Sequence, residues 1–255
     1  MSNTWKNYML TLISFLVGTS QFVIVGILDK VAASVGVSVS AAGQLISVSA
    51  LANAIGTPVV MVATAKMDRR KRLLLALAII LLGIASTVAF PGFGFLMASY
   101  VVLGVGTGVF VVTAYATAAN LAPPGRQGRA MSNVSLGFSA SQALALALLS
   151  IVARTTVVAI PWLMLWAIAA WTFGPTQNFN LLSLAPEACG IVLSLNSSFV
   201  QLGFATGAAI GGIAVGGSSI TVICWIGAAA VAIALFIATV SFGLTRTFSK
   251  RVATK

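Results

Sequence analysis

Eight apolar runs of membrane-crossing length divide this chain of 255 residues almost from end to end. They lie near 8–28, 41–64, 73–91, 94–119, 130–153, 156–175, 191–214 and 220–243. A hydrocarbon layer of about 30 Å takes roughly 20 residues as a helix, and a backbone in lipid must satisfy its own hydrogen bonds, so such runs are helices. The breaks between them are short and carry turn or charge signals, among them KVAASVGVS (30–38), KMDRRKR (66–72), APPGRQGR (122–129) and GGSS (216–219). The expected fold class is all-α, a polytopic membrane bundle of about eight transmembrane helices. The first run is long and has no small-residue cleavage site, which is not the pattern of a cleaved signal peptide.

Charge then orients the bundle and removes whole classes of function. Only 7% of the residues are charged and 59% are hydrophobic, yet the net charge is +11. A soluble protein with that balance would suggest nucleic acid, but a basic face there needs a polar surface that this composition cannot supply, so no nucleic-acid partner is expected. With the N-terminus inside, twelve Lys and Arg fall on the cytoplasmic side and only Lys30 and Arg154 on the other. That bias predicts both termini in the cytoplasm and agrees with an even number of spans. The acids are Asp29, Asp68 and Glu187, and there is no histidine. Paired carboxylates, a metal-ligand set and a Ser–His base are therefore all lacking, so neither an enzyme nor a metal or other cofactor is expected. Cys189 and Cys224 fall near opposite ends of their helices, too far apart to bridge.

Two stretches nearly repeat each other. LAPPGRQGRAMS (121–132) and LAPEACGIVLS (184–194) both occupy a cytoplasmic connection and both open into a helix rich in Ser, Asn and Gly. Aligning Leu121 with Leu184 also sets Phe110 on Phe173 and Thr113 on Thr176. An internal repeat in a polytopic chain points to a transporter built of related halves around a central path.

GQLISVSALANAIGTPVVMVATAKMDRRKRLLLA (43–76) resembles the second helix, basic loop and third helix of major facilitator superfamily efflux permeases. VGTSQFVIVGILDKVAASVGVS (17–38), LGVGTGVFVVTAYATAANLAPPGRQGRAM (103–131) and GPTQNFNLLSLAPEACGIVLSLNSS (174–198) are similar to the same family. The nearest group is the bacterial drug:proton antiporters that include arabinose and purine efflux permeases. The resemblance implies a multi-pass protein of the bacterial plasma membrane that exports a small organic solute of drug, sugar or purine type. The family's repeat recurs after six helices, an offset near 190 at roughly 20 residues per span and about 10 per loop; here the copies lie about sixty apart. About four central helices are therefore missing, and a partial major facilitator fold is expected. Residues 1–140 resemble helices one to five of the family, and 141–255 resemble the end of helix nine followed by ten to twelve. The fifth helix is expected to be a hybrid joined near Gln142–Leu148. Two readings follow: a reduced efflux transporter, or a transport-inactive remnant with a structural or dimerising role.

The resemblance also nominates residues. Members of the group often carry an acid at the place of Gln21 and an arginine at the place of Tyr100. Without an acid at membrane depth the usual proton route is lost, so a proton partner stays an open alternative. Gln21, Asn53, Tyr100, Thr113, Trp171, Gln177 and Asn196 are the substrate-cavity candidates, each with interhelical hydrogen bonding as the competing role. KMDRRKR departs from the family's gating motif at Ala65 and Asp68. Asp68, Arg69 and Arg70 are the gating-loop candidates, against a loop that is merely held inside and touches anionic membrane lipid. Gly203, Gly207 and Gly211, spaced by four, are expected to pack a helix closely. A homo-oligomer is an open alternative if the bundle is incomplete.

Overall fold

A computed structural model of the chain describes residues 3–89, 92–123, 125–152, 161, 174–183, 188–217, 229 and 233. Six helices are defined: α1 (Asn3–Val35), α2 (Val39–Ala63), α3 (Arg69–Ala89), α4 (Phe93–Leu121), α5 (Gln127–Val152) and α6 (Cys189–Gly217). Residues 174–183 are helical as well. The chain is thus all-α among the described residues. Most of the apolar runs at 156–175 and 220–243 lies outside them. By length and composition α2, α3, α4 and Cys189–Ile210 can each cross a membrane.

For the six defined helices the expected boundaries hold within a few residues except at the end of α1, while residues 174–183 stay helical past the expected end at 175. KVAASV carries no breaker, so the helix continues past 28 to Val35 and bends at Ile27, whose φ of −127° and ψ of 17° are not helical. Gly36 stops it with a φ of 71°, a left-handed conformation that costs glycine little. The Val37 amide then donates to the Ala32 carbonyl at 3.0 Å, which closes a Schellman turn. Ser38 caps α2 by accepting from the Ala41 amide at 3.1 Å. A three-residue turn of this kind forces α1 and α2 to run antiparallel.

Residues Met1–Ala208 form one compact unit and Ala209–Lys255 another. In the first, α1 packs on α5 while α4 is flanked by α2 and α3. Glycines decide how closely these helices meet. A side chain at Gly104 would strike the Ser49 backbone, one at Gly108 would strike Thr57 and Asn53, and one at Gly106 would press on Ile79 and Ile80. Gly137 of α5 sits against the Thr11 carbonyl of α1, and Gly18 of α1 against Ser141. In lipid, where apolar surface gains little from leaving solvent, such close backbone approach is what holds helices together. The core between them is led by Phe110 and Phe138, edge to face at 6.5 Å between ring centroids. Beside it the Tyr115 and Ser135 hydroxyls share a hydrogen bond of 2.6 Å.

The expectation for Gly203 and Gly207 is not met among the described residues: both are exposed, and a side chain at either would meet nothing within 4 Å. Gly211 lies in α6 beyond the compact unit. Among the described residues, close glycine packing is found in α4 and in the α1–α5 pair.

Candidate functional site

α1 and α3 do not pack on each other, and the space between them, backed by α4, is a cavity of about 770 Å³. It lies at the end of the bundle away from the basic loop, where α1 bends, α3 ends and α4 begins. Ile24, Val31, Ile84 and Leu96 supply apolar wall from three helices. Ile27, the bend itself, is also part of the lining. The volume falls in the range of small-molecule pockets.

The polar groups of the wall are Ser20, Ser34, Thr87 and Tyr100. Three of these spend their hydroxyl hydrogen on their own helix: Ser20 donates to the Val17 carbonyl at 2.7 Å, Ser34 to Val31 at 2.8 Å and Thr87 to Ile84 at 2.7 Å. A hydroxyl in lipid saves desolvation cost in this way, but its oxygen keeps lone pairs to offer. Tyr100 is half-buried, and its hydroxyl has no partner among the described residues. No charged residue lines the cavity among the described residues; Asp29 and Lys30 follow the bend on α1 and are exposed.

The cavity candidates separate into groups. Tyr100 is in the cavity wall. Gln21 is half-buried on α1 beside Ser20 but is not part of that wall. Asn53 is 3% exposed and accepts a hydrogen bond of 2.9 Å from the Thr57 hydroxyl, the pair filling the gap opposite Gly108. Thr113 is fully buried and directs its hydroxyl at the Met61 sulfur, 3.8 Å away. Both stand at the α2–α4 contact, Asn53 against Gly108 and Thr113 through Met61. Gln177 and Asn196 are brought together: the Gln177 amide donates to Asn196 at 3.0 Å, and Asn196 donates to Asn178 at 2.9 Å. This amide chain ties residues 174–183 to α6 at the basic-loop end. Trp171 lies outside the described residues.

At the basic loop the sequence expectation shifts by a few residues. Asp68, Arg69 and Arg70 are exposed, whereas Arg72 is 8% exposed and donates to the carbonyls of Thr64, Ala65 and Met67. A helix leaves its last carbonyls without partners, and Arg72 satisfies them where α2 ends. Its Nε–H has no acceptor among the described residues. Met61, near the end of α2, touches the position of Gly190 in the first turn of α6. The sequence hid Arg72 among five cations; its one distinguishing mark is that it falls one helical turn after Asp68.

A sequence model of the Major Facilitator Superfamily matches residues 10–179. The chain is 30% identical over 370 aligned positions to YbcL, an uncharacterized MFS-type transporter of Bacillus subtilis, covering 92% of this chain and 95% of the relative. A chain of 255 residues cannot fill 370 positions, so more than a hundred residues of that relative have no counterpart here. Shorter matches include a chloramphenicol resistance protein of Streptomyces lividans, 35% identical over 128 residues, and the inner membrane transport protein YdhP of Escherichia coli, 30% identical over 126. Each covers 49% of this chain, which spans 32% of the length of either relative.

Proposed function

The chain belongs to the Major Facilitator Superfamily as a multi-pass protein of the bacterial inner membrane, and from that premise we propose that it exports a small organic solute. The observation that carries this reading is the cavity between α1, α3 and α4, an apolar pocket with a few hydroxyls at one end of a helix bundle. Its composition suits an amphipathic solute better than a sugar, and the chloramphenicol resistance protein supports a drug-type substrate. Tyr100 is the candidate that this cavity favours as a substrate contact. Gln21, Asn53, Thr113, Gln177, Asn196 and Trp171 are further proposed contacts on a central path, and Asp68, Arg69 and Arg70 keep a proposed gating role in the basic loop. Residues 1–140 would represent helices one to five of the family, and 141–255 its later helices.

The gap of more than a hundred positions against YbcL favours a second reading, an inserted remnant that packs, pairs with itself and moves nothing. One assay separates the two. Proteoliposomes holding the purified chain at about one copy per vesicle are preloaded with chloramphenicol and followed for exchange. Exchange several-fold above empty vesicles is the expected result. A folded protein that gives none would overturn the transport reading in favour of the remnant.

A further inference from the structure

The chemistry of the cavity wall narrows what it can hold, an inference that rests on reading the cavity as a substrate site. We propose that the space between α1, α3 and α4 takes an uncharged amphiphile that brings hydrogen-bond donors of its own, such as hydroxyl or amide N–H groups on an apolar body. Ser20, Ser34 and Thr87 have committed their hydrogens to helix carbonyls, so what they present is acceptor oxygen. Tyr100 is the one lining hydroxyl whose hydrogen is uncommitted among the described residues, and it too can accept. The site is therefore rich in acceptors and poor in donors. A ligand bearing only acceptors would find one donor there, the Tyr100 hydroxyl, whereas a ligand with donors can pair with the oxygens of Ser20, Ser34 and Thr87 as well.

Charge on the ligand is disfavoured on equally direct grounds. An ion stripped of water needs a partner, since its desolvation otherwise costs several kcal/mol. No residue of the lining is charged among the described residues. Asp29 is exposed on α1 beyond the bend, and Asp68 belongs to the loop at the other end of the bundle. The remaining acid, Glu187, follows the sixth apolar run by twelve residues, far in sequence from the cavity-forming segments, and lies outside the described residues. The apolar wall of Ile24, Val31, Ile84 and Leu96 supplies the dispersion contact that an alkyl or aryl body needs.

Matched probes test this. The purified chain in lipid nanodiscs is dialysed against 4-hexylresorcinol, its dimethyl ether and hexyltrimethylammonium, with empty nanodiscs as the baseline. The resorcinol carries two O–H donors, the ether has the same apolar body with none, and the third is a cation. Saturable binding in which the resorcinol exceeds the ether by about fivefold or more, with none for the cation, is expected. Thr87→Val and Tyr100→Phe keep the shape of the wall and should weaken the resorcinol about fivefold while leaving the ether unchanged. Equal binding of ether and resorcinol, saturable binding of the cation, or an equal loss for all probes in the variants would each overturn the proposal. The expected order without solute exchange keeps the site and removes the transport reading; exchange without that order does the reverse.

Discussion

Arg72 shows how a single side chain decides where one helix stops and another starts. It reaches from the first turn of α3 back to the carbonyls of Thr64, the C-cap of α2, and of Ala65 and Met67 in the turn that follows, so removing it strands carbonyls that lie beneath its guanidinium. Arg72→Ala should lower the unfolding midpoint in detergent, at a cost of about 2 kcal/mol, whereas Arg70→Ala, exposed, should move it by less than about 0.5 kcal/mol. Gly108 makes the complementary case. Its missing side chain is the space occupied by Thr57 and Asn53, and Gly108→Val should destabilise by about 3 kcal/mol, because the buried side chains of Thr57 and Asn53 must be displaced. A thermal shift no larger for Gly108→Val than for Gly203→Val would contradict this, since Gly203 faces open space among the described residues.

At the scale of elements, the helices were legible in the sequence because the bilayer writes the rule: a run of about 20 apolar residues has no alternative to a helix there. What could not be read was which way each residue faces. Asn53 and Tyr100 are both polar groups in apolar runs, yet one is packed against a neighbouring helix and the other lines a cavity, a difference set by glycines on α4 and by the absence of contact between α1 and α3. Lipid-facing and core-facing sides are equally apolar, so hydropathy carries no orientation. The bend at Ile27 was equally hidden, although Gly26 precedes it, as glycines within membrane helices are common and only some bend them. If the bend shapes the cavity, Gly26→Leu should reduce saturable binding of the uncharged probe without abolishing insertion, as judged by chromatography of the purified variant.

For the molecule as a whole, the acid inventory and the geometry point the same way. Among the described residues no carboxylate able to carry a proton against solute lies in the cavity wall, so any exchange should run at the same rate after a proton ionophore collapses the pH gradient. A rate that falls several-fold would return the proton to the mechanism. The positive-inside expectation is tested separately. In a variant lacking both natural cysteines, a thiol at Asp68→Cys should react with an impermeant maleimide only after whole cells are opened.

In mechanical terms, α2, α3 and α4 behave as a single slab. Gly104 and Gly108 seat α4 on α2, and Gly83 and Gly106 seat it on α3, with backbone against backbone on both sides. Surfaces that meet this closely cannot slide without first separating, so thermal motion of the bundle has to concentrate at its softer seams. One such seam is the cavity, where α1 and α3 stand apart and the helix that borders the gap already bends. Stiffness on one side of α4 and slack on the other give the same small bundle a fixed frame and a place that can breathe.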